Sequence, residues 1–126
     1  MSTKGSSIKI EVMTEYIEEQ SSPSEDKYLF SYTIKITNLA NTPVTLKSRY
    51  WHITDGNGQI HEVNGEGVVG KTPTINPQTS YQYTSGTMLK TPMGLMKGHY
   101  TMQEDNHVEF NANIPIFRLA IPGVIH

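Results

Sequence analysis

The sequence predicts an all-β fold, with two antiparallel sheets packed face to face. Three observations carry that prediction. β-Branched residues dominate, with 12 Ile, 7 Val and 14 Thr against only 3 Ala. Such side chains are stiff at χ1 and suit a pleated surface, whereas Ala is the best helix former. Several segments alternate apolar and polar residues with a period of two. Ten Gly and seven Pro interrupt the chain often enough to prevent long helices. At 126 residues the chain has the size of one domain, large enough to bury a core without disulfides or metal.

The elements follow in order. Met1 to Ser7 reads as a flexible tail, and residues 8–126 as a single domain. Ile8, Ile10 and Val12 alternate with Lys9 and Glu11 as in a half-buried strand. Glu18 to Asp26 is polar and reads as a solvated loop. Tyr28 to Asn38 is the clearest strand, with Tyr28, Phe30, Tyr32, Ile34 and Ile36 on one face. The cluster Asn38–Pro43 is a turn. Val44 to Asp55 is a second long strand whose apolar bias changes face near Ser48, which predicts a bulge or bend. Asp55-Gly-Asn-Gly58 is a hairpin turn returning into a strand at Ile60–Asn64.

Gly65 to Pro77 reads as a loop with a short strand around Ile75. Strands follow at Ser80–Ser85, Met96–Met102 and Val108–Leu119, with a second hairpin turn at Glu104–His107. Phe110, Ala112, Ile114 and Ile116 would share one face of the last strand. Pro115 cannot donate to a ladder, so that strand is an edge or carries a break. Seven to eight short strands with turns between them make an antiparallel immunoglobulin/fibronectin type III-like β-sandwich, with a closed barrel as the alternative. Trp51 is the natural core anchor.

Composition narrows the function classes. Ten basic residues against twelve acidic ones leave no positive excess for a phosphate backbone, which argues against nucleic acid as a partner. No apolar run reaches the length of a membrane span. The first seven residues lack an apolar signal core, so a cytoplasmic location is expected. Without cysteine there is no disulfide, thiolate–zinc site or thiol chemistry.

Two motifs carry candidate chemistry. Gly65-Glu-Gly-Val-Val-Gly70 has the G-x-G-x-x-G spacing that cradles pyrophosphate where a strand gives way to a helix. Here Lys71-Thr-Pro-Thr-Ile-Asn-Pro77 follows, and two prolines forbid the helix. The plain reading is a bend between sheets. The functional one is an anion-binding nest of backbone N–H groups from Gly65, Gly67, Val68, Val69 and Gly70, with Lys71 adding charge. The second motif is His52 and His61, flanking the Asp55–Gly58 turn. With either of two pairing registers they fall on one face and could begin a divalent-cation site, although a working site wants a third ligand. The plain reading is two histidines on a wet face. Tyr81 and Tyr83 read first as packing and second as a recognition surface. No nucleophile is paired with a base, so no catalytic residue is assigned and the chain is not read as an enzyme.

Several stretches together resemble the ApaG family. They are Tyr28-Leu-Phe-Ser-Tyr32, Trp51-His-Ile-Thr-Asp55 with Gly56-Asn-Gly58, Gly65–Gly70, Tyr81-Gln-Tyr-Thr-Ser-Gly86, Ile114-Pro-Ile-Phe-Arg-Leu119 and the Glu18–Pro23 loop. Gly56, where the family often has Ala, and Gln78-Thr79, where Gly-Glu is common, are small departures. The resemblance implies a fibronectin type III-like domain in a bacterial cytoplasmic protein. It also implies a link to cobalt resistance and magnesium efflux under the name CorD. The function it implies is a non-enzymatic binding module with a protein partner. The alternative is a pyrophosphate or nucleotide binder using Gly65–Gly70. Homo-oligomers by sheet extension are compatible with it.

Overall fold

The computed structural model describes residues 7–123. Apart from Ser7, the expected N-terminal tail lies outside the described residues. Eight strands follow one another: β1 (Ile8–Tyr16), β2 (Tyr28–Asn38), β3 (Val44–Asp55), β4 (Ile60–Glu66), β5 (Thr74–Ile75), β6 (Ser80–Leu89), β7 (Met93–Glu104) and β8 (Glu109–Ala120). One sheet has the order β1-β2-β6; the other runs β4-β3-β7-β8, with the short β5 on β3. All named pairings are antiparallel. The fold is the expected sandwich. Only two single-turn 3-10 segments, Glu18–Gln20 and Pro23–Glu25, break the polar loop before β2.

Alternation explains the core. Phe30, Tyr32, Ile34 and Ile36 of β2 are buried, as the period of two requires. They face Trp51, Ile53, Met96, Tyr100, Ala112, Ile114 and Leu119 from the other sheet. Trp51 is the anchor, with its ring edge-on to Tyr32 at 5.3 Å and to Phe117 at 5.8 Å. Tyr83 is also buried, and its hydroxyl bonds to that of Tyr100 across the core. Tyr81 is half-buried and packs against the same cluster. The two tyrosines of β6 are therefore packing residues. Asn38 is fully buried yet satisfied: its amide donates to the Thr42 and Ile75 carbonyls and its oxygen accepts from Ala40 N–H.

Two irregularities decide which side chains face outward. The β3–β7 register shifts between Leu46 and Ser48, so Lys47 is the extra residue. This is the change of face expected near Ser48. It lets Val44 and Leu46 point inward above the bulge and Trp51 and Ile53 below it. The β7–β8 register jumps from Met96↔Phe117 to Gly98↔Ile114, which sets Pro115 and Ile116 opposite Lys97 alone. The break expected at Pro115 is present, in a strand that is also an edge. It corrects the face assigned to Ile116. Ala112 and Ile114 point inward, but past the bulge Phe117 and Leu119 take the inner side and Ile116 is 62% exposed.

The sandwich is closed on one flank, where β1 packs against β8. On the opposite flank β4 ends its sheet and β6 ends the other. Open edges there exclude a closed barrel.

Candidate functional site

The Gly65–Gly70 segment is built differently from a phosphate loop. β4 runs to Glu66, two residues beyond the Asn64 end expected, so Gly65 is a strand residue paired with Arg49. A Cβ on Gly65 would lie 2.7–2.8 Å from the Arg49 guanidinium. Glycine there makes room for that group, which donates from Nη1 to the carbonyls of Glu66 at 3.0 Å and Gly67 at 2.9 Å. Gly67 sits at φ 59°, and a Cβ would overlap the Lys71 carbonyl oxygen. Val68 is fully buried.

Val68 and Lys71 exchange backbone bonds, N–H to O at 2.8 and 3.0 Å. Between them Val69 and Gly70 have φ of 48° and 76°, the left-handed pair of a primed turn. Gly67 N–H donates to Lys47 O at 2.8 Å. The amides of Gly67, Val68 and Lys71 are therefore already committed, which leaves those of Val69 and Gly70 at the turn tip. The three glycines serve an arginine cap, a close backbone approach and a tight turn. The helix of a dinucleotide site does not follow. β5 does, after Thr72 and Pro73.

The histidines separate. The turn uses three residues: Asp55 N–H donates to Gln59 O at 3.0 Å, and Gly58 N–H to Asp55 O, with Gly58 at φ 84°. In the resulting register His52 faces Glu62, and His61 faces Ile53. Neighbouring positions along a strand point to opposite faces, so the shared face expected for His52 and His61 is corrected. One residue in the loop reverses the parity. His52 lies on the outer face of the sheet and His61 turns toward the inter-sheet side. Among the described residues, no group of three or more His, Asp or Glu side chains is placed to hold a metal ion.

His61 instead lines a cleft of about 460 Å³ on the open flank, with Asp26, Lys27, Asp55, Leu89 and Lys90. Asp55 is buried in its wall. Its Oδ1 accepts from Asn57 and Gln59 N–H at 2.8 and 3.0 Å, which fixes the hairpin turn. Its Oδ2 accepts no bond from the described residues.

The outer face of β4-β3-β7-β8 is the second candidate, one that reading the sequence alone does not reveal. Tyr50 stacks on His99 at 5.2 Å, and the Tyr50 hydroxyl donates to Glu62 at 2.6 Å. That carboxylate holds the Tyr50 hydroxyl above its ordinary pKa. Beside them a shallow groove of about 470 Å³ runs along Tyr50, His52, Lys97, His99, Asn113 and Ile116. Ile116 in the groove, and Ile60 and Leu95 level with Thr54 on the same face, stand exposed at 62%, 57% and 45%. The β8 bulge is the reason Ile116 is there at all. The only signal in the sequence was Pro115, which marks a break but not its direction.

Tyr83 and Tyr100 are buried titratable groups. Burial pushes both hydroxyls far above the usual tyrosine value. They stay protonated at neutral pH and belong to the core. Among the described residues, no helix is long and apolar enough to cross a membrane.

Comparison with known proteins fits this geometry. Residues 18–104 match the family model described as the ApaG domain. The chain is 64% identical to Protein ApaG of Shewanella piezotolerans over 126 residues, covering all of both chains. It is 62% identical to Protein ApaG of Shewanella halifaxensis, again over the full length of both. Among solved structures, a Bordetella pertussis protein called ApaA superposes with a TM-score of 0.90 at 42% identity. That match covers 93% of this chain and 95% of the other. A structural-genomics target solved by X-ray gives 0.92 at 58% identity, covering 97% and 92%.

Proposed function

The chain belongs to the ApaG family, and from that premise we propose that it is a non-enzymatic interaction module that engages another protein. One observation carries the reading: the outer face of β4-β3-β7-β8, which holds the stacked Tyr50–His99 pair, also presents Ile60, Leu95 and Ile116 to solvent. Exposed aliphatic groups ringed by aromatic and charged side chains are what protein interfaces are built from. Other conspicuous groups have structural work. The glycines hold the Arg49 cap and the Val68–Lys71 turn, and the tyrosine hydroxyls lock the core.

The link to cobalt resistance and magnesium efflux is then indirect. The protein acts in the cytoplasm on a partner that handles divalent cations, rather than by coordinating them. His52 and His61 on opposite faces support this. Pyrophosphate or nucleotide binding at Gly65–Gly70 has less support, because the amides of Gly67 and Val68, and that of the adjoining Lys71, are already bonded.

The test is affinity capture from lysate with the wild type, with Leu95→Arg and with Ile116→Arg, together with cobalt and magnesium tolerance of a deletion strain. The expected result is a reproducible partner that both variants lose, and altered tolerance in the deletion strain. No reproducible partner, with unchanged tolerance, would end the proposal.

A further inference from the structure

The free edge of β4 differs from the β8 edge at the other end of its sheet. Asp55 N–H bonds Gln59 O at one end of the β3–β4 ladder, and Gly67 N–H bonds Lys47 O at the other. Hydrogen-bonded pairs alternate along an antiparallel ladder, so the bonded residues of β4 are His61, Val63 and Gly65. The N–H and C=O groups of Ile60, Glu62 and Asn64 therefore point away from β3, toward the side where β4 ends the sheet. All of β4 except Gly65 is exposed.

Natural proteins blunt such edges with Lys, Pro or a bulge. The opposite edge of the same sheet, β8, has both Pro115 and a bulge, and β1 packs against it. β4 has no Lys, Pro or bulge, and its charges are the acidic Glu62 and Glu66. Ile60-His-Glu-Val-Asn-Gly-Glu66 contains no Pro, Lys or Arg, and its register with β3 is unbroken.

We propose that β4 is a strand-addition site for an extended segment of a partner protein that carries Lys or Arg at alternate positions. Charge selects the occupant. Ile60, Glu62, Asn64 and Glu66 share the outer face, opposite Thr54, His52, Tyr50 and Ser48. A second copy pairing through the same free groups would bring Glu62 and Glu66 of both strands onto one face, with no lysine or arginine in either strand. Like charges across neighbouring strands destabilise the pair. A strand with alternate cations places them beside those carboxylates, and its outer face continues the surface that holds Ile60, Leu95 and Ile116. Backbone bonds supply affinity in this mode, and alternate side chains supply specificity.

The inference rests on the interaction-module reading, and the experiment separates the two. The probes are two synthetic seven-residue peptides of alternating Thr and Lys or alternating Thr and Glu, titrated into the ¹⁵N-labelled full chain. For the Lys peptide, shifts concentrate at the Ile60, Glu62 and Asn64 amides, and the Glu peptide binds at least about tenfold more weakly. Asn64→Pro removes one outward N–H but no β3 ladder bond, since proline is tolerated where the N–H faces solvent. It keeps the fold and weakens the Lys peptide by about tenfold or more. The double variant Glu62→Lys, Glu66→Lys reverses the preference between peptides. Equal affinity for both peptides, shifts confined to another surface, or binding that survives Asn64→Pro would overturn the proposal. So would a wild-type dimer that Asn64→Pro dissolves. A captured partner lost by Leu95→Arg but retained by Asn64→Pro would remove this inference alone and leave the module standing.

Discussion

Replacing Gly67 by Ala separates a structural glycine motif from a ligand loop. A Cβ at this position would overlap the Lys71 carbonyl oxygen, and it would lie 2.8 Å from the carbonyl carbon and 3.1 Å from Thr72 Cγ2. The obstacle is backbone, so it cannot swing aside. Holding a non-glycine residue at φ 59° costs about 1–2 kcal/mol. Moving Lys71 away breaks its reciprocal bonds with Val68, each about 0.5–1.5 kcal/mol. Val68, now fully buried, loses part of its packing, about 1 kcal/mol.

The expected destabilisation is about 3–6 kcal/mol, a fall in Tm on the order of 10–25 °C for a chain of this size. Gly65→Ala displaces only the far end of Arg49, and Gly70→Ala meets open space at φ 76°, so each should cost about 1–2 kcal/mol. Urea titration of the three variants, read by Trp51 fluorescence, checks the order. A Gly67→Ala protein within about 1 kcal/mol of wild type, or one less affected than Gly70→Ala, would refute the reasoning.

Three further outcomes follow from the same geometry. Tyr83→Phe and Tyr100→Phe each strand a buried hydroxyl and should cost about 1–3 kcal/mol, with the double variant costing less than the two singles together. Burial raises both hydroxyls above their ordinary 10.0, so the native state holds those protons more tightly. Their stabilisation is whole below pH 10 and is lost as pH rises into the raised native range. Wild-type stability should fall above that point, and the double Phe variant should fall less steeply; identical alkaline limbs would contradict the assignment. Arg49→Lys loses the paired donation to the Glu66 and Gly67 carbonyls and should cost about 1–2 kcal/mol in thermal melts, whereas an unchanged Tm would mean the cap is idle. Calorimetry with Co²⁺ should give equal heats for wild type and His61→Ala, and a loss of heat in the variant would restore direct metal binding.

The limits of the sequence reading come from single-residue changes of phase. Strand existence was legible because Tyr28–Asn38 and Val44–Asp55 alternate over many residues, and their ends fall where turn residues cluster. The β3 bulge was legible too, since the apolar face changes within one strand. Ile116 was not. Pro115 announced a break, but whether the chain gained a residue there depends on β7, distant in sequence. The role of Gly65 was hidden for a related reason: only the register with β3 brings Arg49 to it.

The histidine pair makes the same point more sharply, and it bears on function. Loops of two or four residues between Asp55 and Ile60 would leave His52 and His61 on one face. The observed three-residue loop, with Gly58 at φ 84°, puts them on opposite faces. The residue that removes the metal pair also sets His52 opposite Glu62 and orients the outer face of β4 as Ile60, Glu62, Asn64 and Glu66. The acidic edge and the loss of the paired imidazoles thus share one cause, the parity of the Asp55–Gln59 turn. Inserting one residue after Asn57 tests this directly. With the turn kept at three residues it should slide β4 by one position, turn Glu62 inward opposite Trp51 and cost several kcal/mol, because a carboxylate would enter the inter-sheet side. An insertion variant as stable as wild type would show that the register of β4 is not fixed by this turn.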